Sequence, residues 1–200
     1  MRLSDYVDFD SVGLDRKKVN GSLTSPRNTF LDSVLGMPRK YFDQTCRPPT
    51  NPHIISQIVR ENVGPFEVTG LYPVVAEIGN IFARVKRDNN TLYDALGSAG
   101  MLCCRYVRGS ENYVSNHAWG IAIDIKIDDI LDVVGDNLVQ RGLLELSPYF
   151  IGSGFCWGAA FPTEDSMHFE ASEELITDWV NTGKLRQTTS SDTRTAAAYT

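Results

Sequence analysis

The strongest structural signal in this 200-residue sequence is an alternating segment that runs from Trp119 to Ile127. Isoleucine recurs there at every second position, at Ile121, Ile123, Ile125 and Ile127. The residues between are small or polar: Gly120, Ala122, Asp124 and Lys126. Because successive side chains of a strand point to opposite faces, the pattern predicts a β-strand whose isoleucine face packs on the core. The opposite face is small near Asp124, which leaves room for a ligand cleft.

Two of the three histidines suit a metal site together with that aspartate. His117 precedes the alternating segment, and His168 lies further along the chain. With Asp124 they can supply two nitrogens and one oxygen to zinc, and three protein ligands leave the fourth tetrahedral position for water, as in catalytic sites. A metal would also remove the cost of burying Asp124 unpaired. Asp165 lies three residues before His168, so it is placed beside the metal without being needed as a ligand, whereas His53 is interpreted as an ordinary core or surface residue.

The proposed ligands require a bend in the chain. His117 and Asp124 are seven residues apart, which is roughly 23 Å in an extended strand at about 3.3 Å per residue. Two zinc donors each lie about 2 Å from the metal, so side-chain reach cannot close that gap. Gly120 accepts backbone angles that other residues avoid. We therefore predict a turn or bulge at 118–120, with His168 on a neighbouring strand of the same sheet.

The other segments predict a mixture of helices and strands. Helical spacing and end signals predict helices over 27–36, 52–61, 73–86, 91–96, 137–149 and 172–182. Alternation and β-forming residues predict strands over 66–69, 101–107, 119–127, 154–159 and 167–171. The predicted organisation is an N-terminal helical wrap of the same domain (1–65), a core (66–183) and a disordered tail (184–200) that is rich in Thr, Ser and Ala.

Charge and hydropathy argue against several classes of protein. The net charge is −6 and Lys and Arg form no block, which argues against nucleic acid or an anionic membrane surface as the main partner. No run approaches about 18 apolar residues, so no membrane span is expected. The first ten residues lack the apolar region of a signal peptide. We expect synthesis in the cytoplasm without a signal peptide.

The cysteines do not show the CxxC spacing of a cysteine zinc site. They are Cys46, Cys103, Cys104 and Cys156. Two interpretations stay open: a disulfide, for example from Cys46 to Cys103 or Cys104, and buried free thiols.

Two motifs carry a family resemblance. Ser115-Asn-His-Ala-Trp-Gly-Ile-Ala-Ile-Asp124, followed by Asp165-Ser-Met-His-Phe-Glu170, resembles the zinc D-alanyl-D-alanine peptidase family. That family includes D,D-carboxypeptidases, D,D-dipeptidases and L-alanyl-D-glutamate endopeptidases, and it is related in fold to the hedgehog signalling domain. Cys104-Arg-Tyr-Val-Arg-Gly109 and Phe155-Cys-Trp-Gly158 extend the resemblance, which covers residues 66–180. It implies an α+β fold with a small, mainly antiparallel sheet flanked by helices.

The resemblance also implies roles for single residues. His117, Asp124 and His168 would be the zinc ligands and Asp165 the general base. The family uses an arginine to hold a substrate carbonyl or carboxylate. Arg105 and Arg108 are the candidates, which fall on opposite faces of an ideal strand, and Arg105 is preferred.

Four further residues have less defined roles near the site. Ser115 is expected to hydrogen-bond substrate or to support the site. Trp119 and Trp157 either line the cleft as substrate contacts or belong to the core. Glu170 either orients a zinc ligand from behind or is a solvated strand residue, and solvation is the favoured interpretation.

These features predict a zinc-dependent peptidase that cuts peptidoglycan stem peptides at a bond involving a D-amino acid. An aspartate at position 165 resembles the endopeptidases, whereas the flanking sequence resembles D,D-carboxypeptidases. The alternatives are a zinc-containing binding module without turnover and a zinc peptidase with a substrate outside the wall. We expect a phage lysin or a secretion-system effector that reaches the cell wall or periplasm, with a delivery or immunity protein as partner, and a cytoplasmic recycling role as the alternative.

Overall fold

The computed structural model describes residues 2–188, which form an α+β fold. The strands are β1 (Tyr6–Asp8), β2 (Ile58–Asn62), β3 (Glu67–Leu71), β4 (Leu96–Gly100), β5 (Ala122–Ile127), β6 (Leu138–Gln140), β7 (Phe155–Trp157) and β8 (His168–Ala171). The helices are α1 (Asn28–Leu35), α2 (Pro52–Ile55), α3 (Tyr72–Asp88), α4 (Asn90–Asp94), α5 (Arg141–Ile151) and α6 (Glu173–Asn181). Short 3₁₀ turns span Asn116–Trp119 and Gly158–Ala160.

A four-stranded antiparallel sheet carries the centre of the molecule, in the order β4-β5-β8-β7. Two smaller antiparallel pairs, β1 with β6 and β2 with β3, flank it. The predicted α+β class with small antiparallel sheets and flanking helices is confirmed.

The isoleucine face of β5 is the centre of the core, as its alternation predicts. All four isoleucines of the segment, from Ile121 to Ile127, are fully buried. Helix α5 packs on this face, and a Cβ at Gly142 would come within 2.9 Å of Ile127 side-chain atoms. Phe150 of α5 stacks on Phe169 of β8 with ring centroids 4.3 Å apart. The hydrophobic effect thus favours burial of the isoleucine face of β5, and Asp124 lies on the opposite face.

Three predicted elements differ from those observed. The helix expected over 52–61 ends at Ile55, because the β-branched residues Ile58 and Val59 begin a hairpin with β3. The strand expected over 101–107 makes only isolated bridges, Arg47 to Cys104 and Tyr106 to Val114, while the regular strand is β4, just before it. The helix expected over 137–149 begins later, because β6 occupies its first residues and pairs with β1.

The predicted division of the chain also differs at both boundaries. The boundary between 65 and 66 falls inside the β2–β3 hairpin, and residues 2–65 contain the strands β1 and β2 besides two short helices. Residues 184–188 do not belong to a disordered tail: Leu185 is buried and its N–H donates to the carbonyl of Trp179. The N–H of Thr188 donates to the carbonyl of Val34. The remainder of the predicted tail, 189–200, lies outside the described residues.

A disulfide joins Cys46 to Cys103, while Cys104 and Cys156 are free and buried. Burial raises the pKa of the Cys104 thiol to about 11. Within residues 2–188, no helix is both long and apolar enough to cross a membrane.

Candidate metal centre

The two strands at the middle of the sheet bring Asp124 and His168 together. These residues are direct partners in the antiparallel register of β5 and β8. Because directly opposed residues of antiparallel strands project from the same face, their side chains meet above the sheet. Both lie on the face opposite to the buried isoleucines.

His117 reaches the same place through the bend that the sequence predicts. It lies in the 3₁₀ turn Asn116–Trp119, which ends at Gly120 with a left-handed φ of 68°. A Cβ on Gly120 would lie 3.0 Å from the backbone of Gly70 on β3, so both the backbone angle and the packing favour glycine. The predicted turn at 118–120 is confirmed.

The side-chain donor atoms of His117, Asp124 and His168 all lie within 4.8 Å of one another. Asp124 Oδ1 is 3.2 Å from His117 Nε2 and 3.1 Å from His168 Nδ1. Donors about 2.0–2.1 Å from a tetrahedral zinc ion are separated by about 3.3 Å. The donor set of two imidazole nitrogens and one carboxylate oxygen therefore fits zinc in its chemistry, and both separations from Asp124 Oδ1 match this spacing.

The second nitrogen of each imidazole is occupied by an acceptor. His117 Nδ1–H donates to the carbonyl of Met101 at 2.7 Å. His168 Nε2–H donates to Glu170 Oε2 at 2.9 Å. Since a carbonyl and a carboxylate only accept, the protons sit on these nitrogens. The lone pairs of His117 Nε2 and His168 Nδ1 thus face Asp124, as metal ligation requires.

Burial and ion pairing determine the charges of these groups. Burial acts to raise the pKa of Asp124, but when the imidazoles of His117 and His168 carry a second proton, their hydrogen bonds hold it well below its usual range. Burial acts to lower the pKa of His168, but the Asp124 and Glu170 carboxylates hold it well above its ordinary value. Neighbouring carboxylates therefore compensate a positive charge at this position, whether on an imidazole or on a bound cation.

Glu170 is buried, with only 1% of its surface exposed, so the interpretation as a solvated strand residue is wrong. Besides His168, it accepts hydrogen bonds from the Ser25 hydroxyl and, at 2.9 Å, from Asn116 Nδ2. Burial acts to raise the pKa of Glu170, but His168 and these donors hold it below its ordinary value. The carboxylate orients His168 from behind.

Asp165 lies beside the cluster in the loop that follows the 3₁₀ turn Gly158–Ala160. Its Oδ1 is buried and has no hydrogen-bond partner among the residues that the structure describes. Burial raises the pKa of this carboxyl, and nearby Asp124 and Glu164 raise it further. A Cβ on Gly158 would come 2.4 Å from the Asp165 carbonyl, so the loop approaches β7 closely only because position 158 is glycine. An unpartnered buried carboxylate of raised pKa is suited to accept a proton.

The two candidate arginines have different surroundings. Arg105 is half-buried, and its Nη1 donates to the carbonyl of Tyr106 at 3.0 Å. Burial and Arg108 lower the pKa of Arg105, while Asp124 and Asp165 act in the opposite direction, so its guanidinium interacts electrostatically with the site. Arg108 is exposed and donates to the carbonyl of Gln44 at 3.1 Å.

The remaining predicted contacts divide between site and core. Ser115 is buried, and its N–H donates to the carbonyl of Arg105 at 3.0 Å, which ties the arginine segment to the turn of His117. Of the two interpretations of Trp119 and Trp157, substrate contacts in the cleft or members of the core, the structure agrees with the core, since both are fully buried. Their indole N–H groups donate to the carbonyls of Gly36 and Ser166. Both tryptophans occupy core positions because their rings bury large apolar surfaces while each polar N–H finds a partner.

Several groups that contact the site residues are not predicted from the sequence. The carbonyl of Met101 carries no sequence signal, because every residue has one. Ser25 is distant in sequence from both motifs. Phe161, whose ring centroid lies 5.6 Å from that of His168, follows the 3₁₀ turn Gly158–Ala160. Asn116 was detectable, since it lies inside the first motif next to His117.

The comparison with known families agrees with this geometry. No curated protein and no solved structure matches the chain significantly. Residues 108–171 match a family model described as D-alanyl-D-alanine carboxypeptidase, and this stretch contains His117, Asp124, Asp165 and His168. The match confirms the resemblance of the chain to the zinc D-alanyl-D-alanine peptidase family.

Proposed function

We propose that the protein is a zinc-dependent peptidase that hydrolyses peptidoglycan stem peptides at a bond involving a D-amino acid. The observation that carries the proposal is the cluster of His117, Asp124 and His168 beside the unpartnered carboxylate of Asp165. All four residues lie within the stretch that matches the carboxypeptidase family. A binding module without turnover would have no need of a buried, unpartnered carboxylate in this place.

The two histidines and Asp124 would hold the zinc ion. Zinc, when bound, supplies Lewis-acid chemistry: it polarises a scissile carbonyl and lowers the pKa of a water molecule. Asp165 Oδ1 accepts a proton from the attacking water and then donates it to the leaving amine nitrogen. The proton is thereby returned, and no covalent bond to the protein is formed.

Arg105 would serve the carbonyl oxygen. Its guanidinium is half-buried and interacts electrostatically with both Asp124 and Asp165. A charged donor at a partly desolvated position stabilises the negative charge that develops on the oxygen as the tetrahedral intermediate forms. Arg108, more exposed, would contact the substrate from the rim.

Two bonds of the stem peptide are candidates for cleavage. The description of the matching family supports removal of the terminal D-Ala. The aspartate at position 165 supports cleavage between L-Ala and D-Glu, by its resemblance to the endopeptidases. We propose that the protein meets its substrate in the wall or periplasm, as a phage lysin or a delivered effector. The Cys46–Cys103 disulfide supports an oxidising destination of this kind.

The test is digestion of purified peptidoglycan and its muropeptides, followed by mass spectrometry. Loss of terminal D-Ala would identify a carboxypeptidase, and new termini after L-Ala would identify an endopeptidase. Asp165→Ala should reduce the rate about 10²–10⁴-fold, the usual contribution of a general base. EDTA should abolish the activity and added zinc should restore it.

Asp178→Ala is the matched control. Asp178 is an exposed carboxylate on α6, so its replacement should leave the rate unchanged. If the wild-type protein binds zinc and leaves every muropeptide intact, the wall-hydrolase proposal is wrong.

A further inference from the structure

The segment 16–28, here called the strap, lies outside the family match yet contacts the supports of the metal centre. Near its start, Arg16 donates to the carbonyls of Ala159 and Phe161 at 2.8 and 2.7 Å. Near its end, Asn28 exchanges two hydrogen bonds of 2.9 Å with the backbone of Val114. The strap therefore bridges the loop that leads to Asp165 and the chain that leads to His117.

The middle of the strap contacts the carboxylate that orients His168. The Ser25 hydroxyl donates to Glu170 Oε1, since a carboxylate only accepts. Asn116 Nδ2 donates to Glu170 Oε2 at 2.9 Å and to the carbonyl of Pro26 at 3.0 Å. Glu170 in turn accepts from His168 Nε2. A continuous chain of hydrogen bonds thus runs from the strap to a proposed zinc ligand.

Because the groups are buried, each hydrogen-bond donor to Glu170 matters for the orientation of its carboxylate. Glu170 is only 1% exposed, and His168 is 7% exposed. A buried carboxylate that loses one of its donors cannot readily replace it with water, so it moves or becomes less well oriented. Because metal-bound imidazoles depend on the group behind them for tautomer and direction, such a change reaches the metal site.

We propose that Ser25 is a positioning residue for the metal centre. Its hydroxyl fixes Glu170, Glu170 fixes the orientation of His168, and docking of the strap thereby sets the affinity of the site for zinc. The inference rests on the proposed zinc site, and it makes a segment outside residues 108–171 part of that site.

The experiment measures zinc affinity of the full chain by competition with a chromophoric chelator. Ser25→Ala should raise the Kd for zinc about tenfold, at the lower end of the 10–100-fold effect of groups that support metal ligands. The visible spectrum of the cobalt-substituted protein should change in Ser25→Ala, because the direction of one imidazole ligand changes. Ser25→Thr retains the hydroxyl and should restore both readouts towards wild type.

Thr24→Val is the matched control. Thr24 is the neighbouring strap residue, and its hydroxyl donates at 2.7 Å to the carboxylate of Glu174, which is exposed. This variant loses the same type of bond without touching Glu170, so its Kd for zinc should equal that of wild type. An equal loss of affinity in both variants would overturn the proposal, because the effect would then be general loosening of the strap.

A double-mutant cycle tests the route of the effect. If Ser25 acts through Glu170, Ser25→Ala should change the Kd little once Glu170→Gln is present. A full tenfold effect in that background would overturn the proposal. A wild-type protein that binds no zinc would defeat the proposed function as well. If Ser25→Ala binds zinc with the wild-type Kd and still cleaves the wall, the inference about Ser25 is wrong and the proposed function stands.

Discussion

The two histidines of the site are fixed in different ways. His117 donates its second N–H to a backbone carbonyl, that of Met101, whereas His168 donates to a side-chain carboxylate, that of Glu170. Both arrangements select the tautomer that leaves a lone pair towards Asp124. A backbone acceptor cannot be removed by a side-chain substitution, but a carboxylate can. We call each histidine with the acceptor of its second N–H one half of the site. A point mutation can therefore remove the acceptor in the His168 half, whereas the acceptor in the His117 half depends on the backbone position of Met101.

That chain is held by a covalent link. Cys103, two residues after Met101, is joined to Cys46, and its N–H donates to the carbonyl of His117 at 3.0 Å. The His117 half is thus stabilised by backbone and disulfide, and the His168 half by a buried polar network. The following predictions test this difference.

The largest effect is expected where the two halves are equivalent. His117→Ala and His168→Ala should each reduce bound zinc and peptidase activity to background, because two remaining protein donors hold zinc poorly. Elemental analysis after dialysis measures the bound zinc. Retention of stoichiometric zinc in either variant would show that this histidine is not a ligand. His53→Ala is the control and should retain zinc.

Glu170→Gln should act mainly on His168. The amide keeps the shape of the side chain but no longer offers a full negative charge to His168 Nε2–H. Zinc affinity should fall about 10–100-fold. Chelator competition measures the change. Glu174→Gln, at an exposed carboxylate, should leave the affinity unaltered, and an equal loss there would argue against a special role for Glu170.

Removal of the disulfide should affect the His117 half. The bond closes a loop with a sequence separation of 57. Replacing both Cys46 and Cys103 by serine should lower the free energy of unfolding by about 2–4 kcal/mol, as measured by urea denaturation. A reductant should destabilise the wild-type protein to a similar extent and leave the double variant unchanged. Equal stability of wild type and variant would show that the link contributes nothing.

A second buried carboxylate, which has no histidine partner in the described part of the chain, shows how pairing with His168 lowers the pKa of Glu170. Asp132 is 4% exposed and accepts hydrogen bonds from the backbone N–H groups of Val133 and Gln140. Within residues 2–188, no basic side chain forms an ion pair with it. Burial raises its pKa to about 7, and Glu164 and Asp136 contribute to the rise.

The sign of the resulting pH dependence follows from proton binding. The folded protein retains the Asp132 proton between about pH 4 and pH 7, while the unfolded chain releases it. The free energy of unfolding should therefore fall as the pH rises through this window. Asp132→Asn does not titrate, so its stability relative to wild type should increase by about 2–3 kcal/mol between pH 5 and pH 8. A difference that is constant with pH in urea denaturation would contradict a raised pKa.

Local patterns in the sequence were sufficient for much of the fold and of the site. The alternation of β5 identified both the core face and the position of Asp124. The distance argument located the bend at Gly120, and the pairing of β5 with β8 agrees with the placement of His168 on a neighbouring strand. These predictions succeeded because the alternation of side chains along a strand and the distance that a few residues can span are properties of short segments.

Other predictions failed where a distant segment decides the outcome. Residues 101–107 have the composition of a strand, but they form only isolated bridges to Arg47 and Val114. Trp119 and Trp157 lie in strand-like motif segments that also carry site residues, yet both indoles fit core positions. Composition cannot show which neighbour a side chain meets, because that depends on how separate elements pack.

By itself, the sequence determined the types of the candidate donor residues, the strand that carries Asp124 and the bend between His117 and Asp124, because these depend on residue chemistry and backbone geometry within a few positions. Only the tertiary structure decided which groups form hydrogen bonds with the candidate ligands. The Met101 carbonyl, the burial of Glu170 and the approach of Ser25 all arise from contacts between segments far apart in the chain. Such contacts depend on long-range packing, for which a single sequence carries no local signal.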